Sequence, residues 1–320
     1  MEGNRILITG GAGFIGSHLI EKLCGKNVIL CFDSVYRGSN IQILREKRGP
    51  SFDETVKFVK GDIRDNELLV KVLNDFQPDY IFHLASVAGV QTVIRNPLMT
   101  LDVNVIGSYN LLRSISQYAP KKLIFTSTSE VYGPITFQNK EEDYTTQGSP
   151  YDPRWSYATS KLFVEHMCVS FEREYDIPVA IGRLFNIYGP RQIGEGAVHN
   201  FITKCLKKEP IEIHGDGSQI RAWCYVEDCI RGILLMCEKG RGIYNIGNPK
   251  EALTTFSLAL KIKEKTKSQI PVLFSGEQVY TDVKLRVPSI EKIRKLGYEP
   301  QVNLDQGLEK TIDWYSASNK

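Results

Sequence analysis

Tyr157 and Lys161, a tyrosine and a lysine four residues apart, form a pair that can do acid-base chemistry. Residues at this spacing share one face of a helix. An ammonium group beside a phenol favours the phenolate and so lowers a tyrosine pKa that is about 10 when unperturbed. A tyrosine tuned in this way can remove the proton of a sugar or alcohol hydroxyl near neutral pH. The pair therefore predicts a general base.

Hydroxyl and carboxyl side chains gather at the end of a predicted strand, in the run Thr126-Ser-Thr-Ser-Glu-Val-Tyr-Gly133. We expect Thr128 to orient the hydroxyl on which Tyr157 acts.

A phosphate-binding turn is predicted in the run Arg5-Ile-Leu-Ile-Thr-Gly-Gly-Ala-Gly-Phe-Ile-Gly16, where an apolar strand meets three spaced glycines. Glycines at such positions permit the turn, let the backbone approach a diphosphate and let helix and strand pack closely. The amide groups at the helix start then hold phosphate oxygens. The run is therefore typical of a dinucleotide site.

An acidic residue, Asp33, ends the next apolar run, at residues 27–32. A carboxylate here can accept both hydroxyls of an adenosine ribose and repels a ribose 2'-phosphate. We therefore expect NAD as the cofactor. Arg37 lies close by in sequence and leaves NADP as the alternative.

The elements that position these residues alternate between strands and helices up to about residue 185. This alternation predicts an α/β fold, a Rossmann-type doubly wound parallel sheet with a smaller, interleaved α/β substrate-binding region. We expect a cofactor domain at 1–185, a return segment near 222–250, and a region at 186–320 that mainly binds substrate. The predicted strands are 5–9, 28–33, 56–60, 80–84, 122–126 and 179–184, and the predicted helices are 17–24, 66–75, 104–118 and 157–175.

Composition excludes several classes of protein. Of the 320 residues, 42% are hydrophobic and 24% charged, and the net charge is only +3, so neither a nucleic-acid nor a membrane partner is expected. No apolar run approaches the roughly 20 residues that span a bilayer. The cysteines stand singly, without metal-ligand spacing, which indicates reduced thiols and no metal site. We expect a cytoplasmic protein without a signal peptide.

Motifs in a fixed order along the chain resemble the extended branch of the short-chain dehydrogenase/reductase superfamily, which contains nucleotide-sugar epimerases, dehydratases and decarboxylases. The motifs are Thr9-Gly-Gly-Ala-Gly-Phe-Ile-Gly16, Gly61-Asp62, His83-Leu-Ala85, Asn104-Val-Ile-Gly107, Thr128-Ser-Glu-Val-Tyr-Gly133, Tyr157-Ala-Thr-Ser-Lys161 and Arg183-Leu-Phe-Asn-Ile-Tyr-Gly-Pro190. The resemblance implies bound NAD, a nucleoside-diphosphate sugar as substrate, with UDP favoured, and a homodimer formed through the helix that bears Tyr157.

The resemblance also assigns binding residues. Asp62 and Ile63 would lie against the adenine, Ala85 near the cofactor ribose and Asn104 near the nicotinamide. The implied cofactor residues are Gly10, Gly13, Phe14, Ile15, Gly16, Asp33, Asp62, Ile63, Leu84, Ala85, Asn104, Tyr157 and Lys161. The implied substrate residues are Asn186, Arg191, Arg221 and Arg286. Of these, Arg221 and Arg286 would bind the diphosphate, which suits the fork geometry of guanidinium groups.

The reaction implied by the resemblance begins with Tyr157 removing the proton of the sugar C4 hydroxyl while hydride passes to NAD. By the resemblance, the catalytic residues are Thr128, Ser129, Glu130, Tyr157 and Lys161. The carboxylate of Glu130, which follows Ser129, can remove a carbon-bound proton. It favours a reaction beyond simple epimerisation, with 4,6-dehydration of an NDP-hexose narrowly ahead of UDP-glucuronate decarboxylation. The run Pro153-Arg-Trp-Ser-Tyr157 resembles one bacterial glucuronate-decarboxylase branch, in which Arg154 would assist a sugar carboxylate. The motifs also leave open a 4-epimerase, a reductase that consumes NADPH, and a catalytically silent NAD-binding sensor or scaffold.

Overall fold

The computed structural model describes residues 1–276 and 283–318. The strands are β1 (Arg5–Thr9), β2 (Val28–Asp33), β3 (Val56–Lys60), β4 (Tyr80–His83), β5 (Lys122–Thr128), β6 (Ile135–Asn139), β7 (Val179–Leu184), β8 (Ile187–Tyr188), β9 (Ile211–His214), β10 (Ile220–Ala222), β11 (Cys224–Tyr225), β12 (Gly242–Ile246), β13 (Ala252–Thr254), β14 (Val272–Ser275) and β15 (Leu285–Pro288). The helices are α1 (Phe14–Leu23), α2 (Ile41–Arg48), α3 (Ser51–Thr55), α4 (Asn66–Phe76), α5 (Val90–Arg95), α6 (Pro97–Leu101), α7 (Gly107–Ile115), α8 (Trp155–Tyr175), α9 (Ala197–Lys207), α10 (Val226–Lys239), α11 (Thr255–Lys265), α12 (Glu291–Arg294) and α13 (Leu304–Ser318).

A seven-stranded parallel sheet forms the centre of the molecule, in the order β12-β7-β5-β4-β1-β2-β3. The chain runs outward from β1 through β2 to β3 and then returns to place β4 on the other side of β1. The strand order therefore reverses between β1 and β4, and a crevice opens there at the carboxyl ends of the strands. The predicted Rossmann-type doubly wound sheet is confirmed.

A second, four-stranded sheet lies outside the central one, in the order β13-β10-β15-β6. Its edge strand β6 precedes α8 in the chain, whereas the edge strand β12 of the central sheet follows β11. Each sheet therefore takes a strand from the other half of the chain. The two regions are interleaved, and residues far apart in sequence meet where they join.

Strand β1 illustrates why the central sheet is stable. Ile6, Leu7 and Ile8 are fully buried, with Ile6 and Ile8 packed in one apolar cluster and Leu7 in another. Successive side chains of a strand point to opposite faces, so both faces of this sheet are covered.

The region before and within α7 departs from the predicted helix 104–118. A π-helical segment at Asp102–Ile106 joins α6 to α7, and α7 proper begins at Gly107. The end of β5 also differs, because the strand continues to Thr128 before a 3₁₀ turn at Ser129–Tyr132. Within residues 1–276 and 283–318, no helix is long and apolar enough to cross a membrane, and no group of potential metal ligands is found.

Candidate active site

A first cavity, of about 520 Å³, opens at the carboxyl ends of β1 and β4. Its volume is in the range of small-molecule and cofactor sites. With one exception, the residues expected to bind the cofactor line it. These are Gly10, Gly13, Phe14, Ile15, Gly16, Asp33, Asp62, Ile63, Leu84, Ala85, Tyr157 and Lys161.

The glycine turn fits a diphosphate. Gly10 has a φ of +71°, and a Cβ placed on it would lie 2.6 Å from the amide nitrogen of Ala85. A Cβ on Gly16 would collide with the carbonyl oxygen of Gly10, so only glycine lets α1 pack this closely on the turn. Helix α1 begins at Phe14, which lines the cavity, so the positive end of the helix dipole lies there.

Asp33 lies at the end of β2 and is held by the turn. Its carboxylate oxygens accept hydrogen bonds from the backbone amides of Ala12 at 3.0 Å and Val35 at 2.7 Å. Burial raises the pKa of the Asp33 carboxyl, and the backbone amides oppose that rise. A carboxylate has about four acceptor sites, so Asp33 keeps capacity for ribose hydroxyls. The donors and acceptors around this cavity therefore fit NAD.

Asn104 is the exception among the expected cofactor residues, because it lies behind the wall of the first cavity. Its amide oxygen accepts from the Val87 amide at 2.8 Å and from the Ser86 hydroxyl at 3.0 Å. Its amide nitrogen donates to the Val87 carbonyl at 3.1 Å and to the Ser160 hydroxyl at 3.0 Å. Asn104 therefore ties the segment after β4 to α8. The resemblance implied a place near the nicotinamide, and the sequence alone gives no sign of these buried partners.

Tyr157 and Lys161 lie on successive turns of α8 and line the first cavity together with Thr128. The Lys161 ammonium donates to the carbonyl oxygen of Thr126 at 2.9 Å. It lies 4.8 Å from the ring centroid of Phe125 and 5.9 Å from that of Tyr157. The residues predicted to act as base, lysine partner and orienting hydroxyl are thus brought together.

The electrostatics of this pair differ from the expectation. Burial raises the pKa of Tyr157, Glu130 acts in the same direction, and a hydrogen bond with Thr128 opposes them. Burial also lowers the pKa of Lys161 to about 7. Burial therefore outweighs any lowering of the Tyr157 pKa by the Lys161 ammonium, which is itself desolvated and donates to Thr126.

A second cavity, of about 990 Å³, adjoins the first at Asn186 and Ile187. Arg221 and Arg286 line it from β10 and β15, where they are direct register partners on adjacent parallel strands. Side chains at such positions share a face of the sheet. The Asn186 amide donates to the Ala222 carbonyl at 3.0 Å. Three of the four expected substrate residues therefore line this cavity.

A cluster of charged side chains lies in the wall of the second cavity. The Glu130 carboxylate lies 3.5 Å from an Arg154 nitrogen and 3.8 Å from an Arg286 nitrogen. Both arginines are almost fully buried, at 6% and 2% exposure. Arg286 also donates to the Gly133 carbonyl at 2.6 Å and to the Ser129 hydroxyl at 3.4 Å. Glu130 therefore lies beside two buried guanidinium groups.

Arg191 and Ser129 lie elsewhere than expected. Arg191 lines neither cavity, and instead pairs with Glu21 of α1 at 2.6 Å and donates to His18 at 3.3 Å. It therefore fastens the loop after β8 to α1. Ser129 is buried, also lines neither cavity, and accepts the hydrogen bond from Arg286.

Glu195 is a residue at the site that the sequence did not single out. Its carboxylate accepts from the backbone amides of Gln91 at 2.7 Å and Thr92 at 2.9 Å, and from the Thr92 hydroxyl at 2.6 Å. It thus ties its loop to the first turn of α5 at the wall of the second cavity. The available signal was an acid between two glycines, Gly194 and Gly196.

Comparison with known proteins agrees with this geometry. The model of the NAD dependent epimerase/dehydratase family matches residues 6–247. UDP-glucuronic acid decarboxylase 6 of Arabidopsis thaliana is 36% identical over 310 residues, which cover 95% of this chain and 86% of that protein.

Solved structures give the same family with other reactions. UDP-glucose 4-epimerase of Thermotoga maritima, solved with UDP-glucose, has a TM-score of 0.89 and 32% identity and covers 99% of this chain and 100% of its own. The dTDP-glucose 4,6-dehydratase DesIV of Streptomyces venezuelae, solved with NAD bound, has a TM-score of 0.88 and 31% identity and covers 98% of both chains. The chain therefore belongs to the NAD-dependent epimerase/dehydratase family of enzymes, and its cofactor is NAD.

Proposed function

We propose that the protein modifies a nucleoside-diphosphate sugar through a transient 4-keto intermediate, with Tyr157 as the acid-base group at the C4 hydroxyl. When bound, NAD supplies the acceptor for the C4 hydride and later returns it. Tyr157 lies in the first cavity, which adjoins the second at Asn186, so a sugar reaching in from the second cavity meets the phenol. Thr128, hydrogen-bonded to the phenol, orients the same hydroxyl.

The diphosphate of the substrate binds, in this proposal, to Arg221 and Arg286. Their register pairing places two guanidinium groups side by side on one wall of the second cavity. Guanidinium forks match phosphate oxygens in geometry and charge. We favour a UDP-sugar because the decarboxylase from Arabidopsis thaliana and the epimerase from Thermotoga maritima are both named for UDP-sugars.

The reaction that the site supports best is decarboxylation of a UDP-hexuronate such as UDP-glucuronate. The observation that carries this proposal is the pair of buried arginines, Arg154 and Arg286, which lie beside Glu130 and line the second cavity. Guanidinium groups in a cavity wall can bind a carboxylate such as that at C6 of a hexuronate. Once C4 is a ketone, that carboxylate belongs to a β-keto acid. The C5–C6 bond then breaks, its electron pair becomes the C4–C5 enolate, carbon dioxide leaves, and C5 takes up a proton.

The second candidate is 4,6-dehydration, and the position of Glu130 favours it. The Glu130 carboxylate is close enough to Tyr157 to act on the pKa of the phenol. A carboxylate beside the reacting carbons can take the C5 proton while the C6 hydroxyl leaves as water. In this case Arg154 and Arg286 would only hold Glu130 in position.

The experiment is a product analysis with UDP-glucuronate, UDP-glucose and dTDP-glucose, each followed by mass spectrometry and by carbon dioxide release. Decarboxylation predicts carbon dioxide and a UDP-pentose from UDP-glucuronate alone. A 4-keto-6-deoxy sugar would replace this proposal by dehydration, and a C4 epimer without mass change by epimerisation. Tight NAD binding without any product would favour the silent sensor or scaffold.

A matched pair of variants separates the role of Arg154 from a general effect on α8. Arg154→Met should raise the KM for UDP-glucuronate about tenfold or more, because a charge-assisted contact to the sugar carboxylate is lost. Affinity for UDP-glucose should change little. Arg173→Met, at an exposed position of the same helix, should leave both unchanged. Equal losses for the acidic and the neutral sugar in Arg154→Met would contradict the assignment.

We also propose a homodimer formed through α7 and α8. Leu162, Val164, Met167 and Val169 pack inward against apolar clusters. The outer face instead exposes Tyr109 by 50% and Phe163 by 54%. Light scattering should give a dimer for the natural protein and for Gln42→Asp, at an exposed position of α2, and a monomer for Phe163→Asp. A monomeric natural protein would disprove the proposal.

A further inference from the structure

Glu165 is a buried carboxylate on α8 to which no role in the reaction is assigned. It follows Lys161 by one helical turn, and both residues are 2% exposed. It lines neither cavity, so it does not contact substrate or cofactor. A carboxylate taken this far from water is costly unless other groups compensate it. Its partners therefore indicate what it stabilises.

One partner belongs to the end of β5. The Ser127 hydroxyl donates to a Glu165 oxygen at 2.5 Å. Ser127 lies between Thr126, whose carbonyl accepts from Lys161, and Thr128, which hydrogen-bonds Tyr157. Glu165 therefore binds the middle residue of a three-residue segment whose outer residues meet the reactive pair.

The other partner is Arg183 on β7. Its guanidinium donates to Glu165 at 2.7 and 3.0 Å. The same group donates to the Tyr132 hydroxyl at 2.7 Å and to the Glu141 carbonyl at 3.1 Å. Glu165 is thus held on its far side by a network in which each contact restrains the next. The carboxylate cannot turn without breaking several buried hydrogen bonds.

We propose that Glu165 is a positioning residue for the Tyr157 and Lys161 pair: it fixes α8 against the end of β5 and places a negative charge one helical turn behind the lysine. The inference rests on the proposed function, because that function gives the pair its role. Two consequences follow, one for geometry and one for charge, and different variants test them.

The charge of Glu165 acts on a lysine with few other ionised neighbours. Burial lowers the pKa of Lys161 to about 7, and Cys168 and Glu165 act against that fall. Burial raises the pKa of the Cys168 thiol and lowers that of His83 on β4 to about 3, so both are neutral near pH 7. The Tyr157 phenol, whose pKa burial raises, is neutral as well.

The remaining charged groups near Lys161 lie further along the network. Arg183 on β7 is paired with Glu165, and Glu130, in the turn after β5, acts on Tyr157. Glu165 is therefore the anion that supports the ammonium form of Lys161. Because the ammonium favours the phenolate, activity should fall as pH rises through the pKa of Lys161.

Glu165→Gln tests the charge, since it keeps the size of the side chain. Without the anion the pKa of Lys161 should fall, so the alkaline limb of the kcat profile should move to lower pH by about one unit. Glu165→Asp, which restores the charge, should return the limb towards its natural position. Glu174→Gln, at an exposed site on the same helix, is the control and should not move it. If the alkaline limb of the kcat profile does not move in Glu165→Gln, the proposed effect of the Glu165 charge on Lys161 is wrong.

Ser127→Ala tests the geometry and removes only one hydroxyl. We expect kcat to fall about tenfold, with KM and the alkaline limb unchanged, because misplaced reacting groups cost rate. This variant also keeps the inference testable if Glu165→Gln does not fold. A kcat within twofold of the natural value would overturn the positioning role.

A measurement without substrate separates this inference from the proposed function. The Cε carbon of Lys161 can be titrated by NMR in lysine-labelled, NAD-loaded protein and assigned with Lys161→Met. The pKa of Lys161 should be lower in Glu165→Gln than in Glu174→Gln, and equal values would overturn the inference. If no nucleotide sugar is turned over, the proposed function fails while this titration still decides the role of Glu165.

Discussion

The first and second cavities are lined by different kinds of groups. The first contains the glycine turn at Gly10 and the helix start at Phe14, where the backbone itself forms the wall. The wall of the second includes the half-buried Glu130 and the buried Arg154 and Arg286. A backbone site recognises what all dinucleotides share, whereas side-chain charges recognise one class of sugar. The first cavity therefore carries the pattern by which the family is recognised, and in our proposal the side chains of the second select the sugar.

The largest expected effect concerns Tyr157, which lines the first cavity. Tyr157→Phe removes the hydroxyl proposed as the acid-base group and should lower kcat about a thousandfold, within the range of such groups. NAD content after purification should stay unchanged, because the first cavity is intact. Tyr151→Phe, at a position 96% exposed, is the matched control. A kcat within tenfold of the natural value would mean that another group carries the proton.

The next largest effect should come from a substitution in the glycine turn of the first cavity. Gly10→Ala forces a side chain into a positive φ and against the Ala85 amide at 2.6 Å. We expect the free energy of unfolding to fall by about 3 kcal/mol, and bound NAD to be lost. Urea unfolding and the NAD content of the purified protein measure the two effects.

Gly25→Ala is the control for backbone strain alone. Gly25 has a φ of +79°, and a Cβ there meets no heavy atom within 4 Å. The Gly25→Ala variant should lose about 1 to 2 kcal/mol of unfolding free energy and keep its bound NAD. Equal losses in the two variants would mean that the close approach to Ala85 contributes nothing.

The same contrast explains how much of the molecule the sequence could predict. The strands at β1 and β2, the glycine turn and the Tyr157 and Lys161 pair are local patterns, because the residues that matter are few positions apart. The substrate side depends on tertiary packing. Arg191 and Arg286 are both arginines in the second half of the chain, yet one faces Glu21 on α1 and the other faces Glu130.

Two further differences have the same origin. Asn104 was expected near the cofactor, but its amide is taken up by Ser86, Val87 and Ser160 from other parts of the chain. The pKa of Tyr157 depends on burial more than on the neighbouring lysine, and burial is set by the whole fold. Spacing in sequence predicts which groups lie on one helix face, and it does not predict how dry their surroundings are.

The titration of His83 should make the free energy of unfolding depend moderately on pH. His83 is buried and bonded to the Thr9 and Ser108 hydroxyls, and burial lowers its pKa to about 3. The unfolded chain therefore binds a proton below pH 6.5 that the folded chain does not. The contribution of His83 to the free energy of unfolding is therefore largest above pH 6.5. It decreases as the pH falls towards 3 and is about 2 kcal/mol smaller at pH 5.

His83→Gln removes the titrating group and should reduce this acid loss. Urea unfolding at pH 7 and pH 5 gives the difference for each protein. The variant is less stable at pH 7 because it disturbs the two hydrogen bonds, but its loss between the two pH values should be smaller. The same loss in both proteins would show that other groups cause the acid sensitivity.

The smallest expected effect distinguishes Arg191, which pairs with Glu21, from Arg221, which lines the second cavity. Arg191→Lys keeps the charge beside Glu21 but loses the guanidinium fork, and should cost about 1 kcal/mol of unfolding free energy. Its KM should stay within twofold, because Arg191 lines neither cavity. Arg221→Lys should instead raise KM about tenfold with little loss of stability. A raised KM in Arg191→Lys would show that Arg191 binds the substrate and that the substrate site extends towards α1.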